Sequence, residues 1–232
     1  MNNESMQDRD QPKLVIFDCD GTLVDSQYVI IGAMKMAFEN AGLAAPADYQ
    51  TRGIIGLSLH EAVGALAPPI DQRQLDDLVE GYKVAFIEQR KSPDFHEPLF
   101  PGAQEILANL AGRSDILLGV ATGKSRRGVD VLFEREGLGD YFFTIQTADD
   151  APSKPHPGMI ENAMNACGIR GQNVFMIGDT SYDMAMARNA DVKAVGVGWG
   201  YHERHRLQEA GAHHLIETFS EISELVTLVE EA

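Results

Sequence analysis

Four short apolar runs, KLVIFDC at Lys13–Cys19, ILLGVA at Ile116–Ala121, VFMI at Val174–Ile177 and AVGV at Ala194–Val197, are separated by sequence with helical character. A strand without polar alternation must be covered on both faces, and helices placed between consecutive strands supply that cover. The pattern predicts a parallel α/β sheet. Phe142–Thr147 and His214–Ile216 are candidate short edge strands.

The stretch from Gln27 to Ser92 breaks this rhythm, with helical periodicity and no convincing strand. Ser58-Leu59-His60-Glu61 matches a capping box, in which Ser58 caps a helix and Glu61 reaches back to it. Leu75, Leu78, Val79, Tyr82 and Phe86 then recur at helical spacing between Asp71 and Lys91. Ser92–Pro98, broken by prolines, reads as the return linker. The chain thus divides into a core of residues 12–25 and 93–232 and a mostly helical insertion of residues 26–92. A length of 232 residues suits one such unit and buries a real core without staples.

Charge narrows the function classes. Against 19 Lys and Arg stand 35 Asp and Glu, a net of −16, and no basic patch offsets it, so neither nucleic acid nor anionic lipid is an expected partner. Cys19 and Cys167 form no disulfide framework and no metal-ligand spacing, as expected for a reducing compartment. The polar segment before Lys13 lacks the marks of a leader, and no apolar run spans a membrane. A cytoplasmic protein, monomer or homodimer, is expected.

The chemistry-bearing residues sit where the apolar runs end. Asp18 and Asp20 follow the first run, and in extended geometry both point to one side, where they repel unless a cation or shared proton lies between them. Gly21 permits a sharp turn, and Thr22 has a hydroxyl that can bond within it. An ordinary Asx turn is the plain alternative. Thr122-Gly123-Lys124-Ser125 offers a hydroxyl and a backbone amide near a helix start, the parts of an oxyanion cradle or simply of a helix cap. Ser153-Lys154-Pro155-His156-Pro157 holds Lys154 near the next helix start, where a cation needs an offsetting anion. His156 reads as a supporting or surface residue, and Cys19 as packing on the opposite side of the strand. Asp179 ends the third run and Asp183 lies in the first turn of the following helix. Ligands of α/β sheets bind at the carboxyl ends of the strands. Carboxylates without clustered His or Cys favour a hard cation, Mg²⁺ over Zn²⁺. A cation, a hydroxyl and a lysine around one carboxylate make a site for a phosphoryl group.

VIFDCDGTLVDS, VATGKS, SKPHP and MIGDTSYDMAMARNA resemble, in order, the four motifs of the haloacid dehalogenase superfamily. The resemblance runs from Lys13 onward and is similar to that family's phosphoglycolate phosphatase-type members. It implies a Rossmann-like core with an inserted helical cap. It also implies Asp18 as nucleophile forming an aspartyl-phosphate, Asp20 as general acid and then base, and Thr122, Gly123 and Lys154 around the transferring oxygens. Mg²⁺ is implied on a carboxylate oxygen of Asp18, the backbone carbonyl of Asp20, and Asp179, with Asp183 bound directly or through water. One departure is Ala190-Asp191, where a glycine often follows the alanine.

Within the family, dehalogenases lack an acid at the position of Asp20, which points to a phosphatase. Phosphonoacetaldehyde hydrolases need a cap lysine, and no lysine lies between Thr51 and Ala67. The implied activity is hydrolysis of a small phosphorylated metabolite, phosphoglycolate first. A phosphomutase or pyrophosphatase on the same scaffold is the nearest alternative, and a non-catalytic phospho-acceptor module the alternative of another class. Arg52, ahead of Gly53, Gly56 and a helix, is either a receptor for a substrate carboxylate or a surface arginine.

Overall fold

The computed structural model describes residues 12–92 and 95–228, so residues 1–11, with the leader reading, and Pro93 and Asp94 of the linker fall outside the described residues. Six parallel strands form one sheet in the order β3-β2-β1-β4-β5-β6. They are β1 (Lys13–Phe17), β2 (Ile116–Ala121), β3 (Thr144–Gln146), β4 (Val174–Gly178), β5 (Lys193–Val197) and β6 (His214–Ile216). The expected parallel α/β core is present, and both expected edge strands exist, the first shortened to three residues.

β1 is buried on both faces because its side chains alternate between two apolar layers. Val15 and Phe17 join a cluster with α5 (Ala103–Ala111), α6 (Arg126–Glu136) and α10 (Ser220–Leu228). Leu14 and Ile16 join the opposite cluster with α7 (Gly158–Cys167), α8 (Ser181–Asn189) and α9 (Arg204–Glu209). The chain winds outward from β1 to β3 and returns to the other side of β1 at β4. That reversal opens a crevice beyond the carboxyl ends of β1 and β4, the place where ligands of open α/β sheets bind.

α1 (Gln27–Asn40), α2 (Asp48–Arg52), α3 (Leu59–Leu66) and α4 (Gln72–Arg90) lie between β1 and α5 in sequence and hold a third apolar cluster of their own, including Met34, Phe38, Val63, Leu78 and Val79. α4 begins at the cap Asp71, whose carboxylate accepts the Gln74 N–H at 2.9 Å while Gln74 reaches back, a capping box the sequence reading did not note. The expected box at Ser58 does not form: Ser58 starts α3 without a side-chain cap, and its own N–H donates to Ser153 Oγ at 2.8 Å. Contact with the loop before α7 takes the place of local capping there.

Candidate active site

The turn after β1 brings two strand ends together. Gly21 has φ +87°, and a Cβ on it would lie 2.2 Å from Asp179 Oδ2, so only glycine allows this approach. The Thr22 N–H donates to the Cys19 carbonyl within the turn, but its hydroxyl, expected to bond there too, instead donates to Asp179 Oδ1 at 3.0 Å. The other oxygen of Asp179 accepts the Tyr201 N–H at 2.8 Å.

Asp18, Asp179 and Asp183 are fully buried, and their carboxylate oxygens lie within 4.8 Å of one another. Lys154 is the cation among them, with Nζ 2.9 Å from Asp18 Oδ2 and 2.6 Å from Asp183 Oδ1. Burial alone would lower the pKa of this ammonium, but the charges of Asp18 and Asp183 outweigh it and hold the group protonated. Asp183 Oδ2 accepts the Thr180 N–H and hydroxyl at 3.0 and 2.7 Å, closing the capping box of α8. One oxygen of Asp183 thus caps α8, and the other serves Lys154.

One ammonium does not balance three buried carboxylates. Burial, with the charges of Asp183 and Asp20 and against Lys154, pushes Asp18 up to about 7. Burial and the neighbouring Asp183 and Asp18 push Asp179 well above the ordinary carboxylate range. Asp18 Oδ1 accepts the Cys19 N–H at 2.7 Å, whereas Oδ2 is buried without a hydrogen bond, the Lys154 ammonium lying off its hydrogen-bonding direction. An all-oxygen donor set short of positive charge fits a hard divalent cation such as Mg²⁺.

The Asp20 carboxylate stands apart from this trio. Oδ1 accepts the Ser26 hydroxyl at 2.6 Å and pairs with Lys124 Nζ at 2.9 Å. Lys124 also lies 3.5 Å from Glu97, a buried carboxylate that Arg135 holds at 3.1 Å. Burial opposes the charge on Lys124, and Asp20 and Glu97 overcome it. Against the expected repulsion between Asp18 and Asp20, each carboxylate has a lysine of its own, Lys154 and Lys124. Of the metal positions read from sequence, Asp18, Asp179 and Asp183 come together, and Asp20 has only its backbone carbonyl to add.

Thr122 is fully buried at the end of β2. Its Oγ1 accepts the Lys124 N–H at 3.2 Å. Gly123 meets the segment between α2 and α3: a Cβ there would lie 2.4 Å from the Leu57 carbonyl oxygen. The segment descends onto the strand ends, and three further bonds hold it. Besides Ser58 N–H to Ser153, Tyr182 Oη donates to the Gly53 carbonyl at 3.0 Å. His202 Nδ1 accepts the Ser181 N–H at 3.0 Å, which leaves the proton on Nε2 to meet the same Gly53 carbonyl at 3.2 Å.

Arg52 is placed elsewhere. Its Nε donates to Gln27 Oε1 at 2.9 Å, and it does not line the cavity beneath the insertion. His156 is exposed and accepts the Gly158 N–H at 3.1 Å, and Cys19 packs in the core, so both supporting roles hold. Lys124, Glu97, Tyr201 and His202 were not singled out from sequence. Lys124 sits two places beyond Thr122 in a motif already quoted, and the turn-rich stretch Gly198–His202 after β5 was the available signal for the other pair. Glu97 left none.

A cavity of about 750 Å³ lies between the insertion and the core, lined by Asp20, Gly123 and Lys124, by apolar and aromatic side chains of α1, α4 and residues 54–57, and by charged groups including Lys83, Arg90 and Arg127.

Comparison with known proteins agrees with this arrangement. A family model described as haloacid dehalogenase-like hydrolase matches residues 15–197. The protein named Probable phosphatase IndB, from Dickeya dadantii, is 38% identical, over 90% of this chain and 91% of that one. Pyrophosphatase PpaX of Oceanobacillus iheyensis is 26% identical, over 95% and 98%. Phosphoglycolate phosphatase of Nitrosococcus oceani is 27% identical, over 94% and 97%. The solved structure of a hydrolase from Pseudomonas syringae superposes with a TM-score of 0.81 at 26% identity, covering 94% of this chain and 99% of that one. With its four motifs assembled at the ends of the expected strands, this chain belongs to the haloacid dehalogenase-like hydrolases and is an enzyme of that family.

Proposed function

We propose that this haloacid dehalogenase-like phosphatase is Mg²⁺-dependent and hydrolyses a soluble phosphomonoester through an aspartyl-phosphate on Asp18. One observation carries the reading: Asp18 and Asp20 each have their own lysine, Lys154 and Lys124, both at 2.9 Å. Two carboxylates in separate environments can take separate roles, one as nucleophile and one as proton carrier.

Asp18 Oδ2, which faces Lys154 at 2.9 Å while Oδ1 is held by the Cys19 N–H, is the attacking oxygen. It forms a bond to phosphorus as the bond to the ester oxygen breaks. Asp20 gives its proton to that leaving oxygen, then takes one from the water that attacks the aspartyl-phosphate; phosphate departs and Asp18 is restored. The Thr122 hydroxyl, the Gly123 N–H and Lys154 hold the transferring oxygens, where charge spreads in the transition state. Asp18, Asp179 and the Asp20 carbonyl would hold Mg²⁺, with Asp183 bound directly or through water. When bound, the ion offsets the repulsion between these carboxylates and an incoming dianion. Residues 26–92 act as the cap over a core of 12–25 and 93–232, and the segment from Gly53 to Ser58 is its contact with the site.

Phosphoglycolate was the first expectation, with Arg52 as receptor for its carboxylate. The Arg52 guanidinium is bound to Gln27, so that support is gone, and phosphoglycolate stands as one candidate among others. Two cysteines, both free, accord with a cytoplasmic enzyme. A phospho-acceptor module would have no use for a leaving-group cavity beside Asp20.

Phosphate release from phosphoglycolate, pyrophosphate, sugar phosphates and nucleoside monophosphates, with Mg²⁺ and with EDTA, tests the proposal. Metal-dependent release over many turnovers, lost by at least roughly 10³-fold in Asp18→Asn, is expected. A stable phosphorylated Asp18 without release would instead favour the acceptor or mutase reading.

A further inference from the structure

We infer that the substrate is the phosphate ester of a bulky, ring-bearing alcohol, in preference to phosphoglycolate or pyrophosphate. The inference rests on the phosphatase reading above and narrows its substrate class.

A residue that protonates the leaving oxygen marks where the organic group must lie, and Asp20 lines the 750 Å³ cavity. That volume falls within the range of sites for drug-sized ligands, roughly 300–1,000 Å³. Glycolate and a second phosphate have too few atoms to fill it. The space is not produced by a separation of insertion and core, because the Gly53–Ser58 segment is already seated against Gly123, Ser153, Tyr182 and His202.

The walls carry the same message. Ile54, Ile55, Met34 and Val79 line it with apolar surface, and the rings of Tyr82 and Phe86 stand 5.9 Å apart along α4. Lys83, Arg127 and Lys124 also line the cavity and could meet a second phosphate, but that phosphate is too small to cover the apolar part of the wall, which would stay in contact with water. A ring would bury apolar area there and meet aromatic faces. Arg90 adds a cation beside the rings: its guanidinium lies 4.9 Å over Phe86, with Glu97 3.8 Å away. A cation at that wall suits a polar, electron-rich organic group.

The test compares kcat/KM for phenethyl phosphate and nucleoside monophosphates with that for phosphoglycolate and pyrophosphate, all with Mg²⁺. Phenethyl phosphate and phosphoglycolate are both primary alkyl esters, so leaving-group chemistry does not favour the larger one. The expected result is at least a roughly tenfold preference for a ring-bearing ester, the scale at which apolar pockets discriminate. Phe86→Ala is expected to reduce that preference several-fold and Arg90→Met to reduce it for the nucleotides alone. Metal-dependent release that favours phosphoglycolate or pyrophosphate overturns this inference and leaves the phosphatase reading standing. No release from any ester overturns both.

Discussion

Lys124 Nζ lies 2.9 Å from Asp20 Oδ1, and it is the cation that keeps this carboxylate separate from the acidic trio on the other side of β1. The lysine is itself fixed from behind by Glu97, which Arg135 holds through both its side chain and its carbonyl, at 3.1 and 2.7 Å. This geometry gives Lys124 the means to hold Asp20 in place.

Replacement of Lys124 by Met should lower kcat by roughly 10–10²-fold, a part of what a proton-transfer group contributes. KM for a small phosphate should change little, because Lys154 and Thr122 remain. Steady-state kinetics checks this split, and Lys124→Arg should recover part of the loss. An unaltered kcat would remove Lys124 from any part in placing Asp20.

Mg²⁺ should stabilise the protein more at pH 8 than at pH 5. The folded-state pKa of Asp18 is raised to about 7 and that of Asp179 is also raised, so both bind protons more tightly folded than unfolded. Without metal, stability from these groups is greatest at low pH and falls as pH rises from the unfolded value near 3.8 through about 7. The cation binds the ionised form and restores what was lost. Thermal melts with Mg²⁺ and with EDTA at the two pH values measure the difference, and an equal shift at both would contradict it.

His202→Ala should loosen the segment over the site. The ring joins Ser181 N–H to the Gly53 carbonyl, and burial, then the Arg206 charge, lowers its pKa to about 4, so it is neutral at pH 7. A typical hydrogen bond contributes about 1 kcal/mol, so amide hydrogen exchange from Ile54 to Leu57 should quicken several-fold. Acid has the same effect by another route: a depressed histidine contributes stability that starts to fall below the unfolded value of 6.5 and is lost as pH drops through about 4.

Asp191→Gly should raise stability by roughly 0.5–1 kcal/mol. Asp191 has φ +54°, the one described non-glycine residue with a left-handed backbone. Such a conformation costs an L-residue roughly 1–2 kcal/mol, less for aspartate, and nothing for glycine. The family's usual glycine after Ala190 thus has a backbone reason. Urea unfolding measures the change, and a loss of stability would mean that the Asp191 side chain supplies a compensating bond.

Strand positions were legible because two-sided burial leaves an unmistakable pattern. β2 and β6 fall at their expected residues, and β4 and β5 each extend by one. β1 ends sooner, at Phe17, since the chain bends after Asp18 into the turn that sets Gly21 and Thr22 against Asp179. α4 was readable for the same reason, its apolar face recurring from Leu75 to Phe86. That Asp18, Thr122, Lys154, Asp179 and Asp183 gather at one place was legible too, because strand ends in such a sheet converge on one rim whatever the details of packing.

What the sequence by itself determined is therefore the local pattern: which runs are strands, which residues stand at their ends, and which of those bear charge. Partnership between charges was decided by the fold alone. Nothing in the order of residues says that Asp20 pairs with Lys124 while Asp18 pairs with Lys154, that Thr22 reaches Asp179, or that Arg52 turns to Gln27. Each of these joins groups set by separate loops at ångström range, and the strength of a buried charge pair depends on just that distance and on how much water is excluded around it.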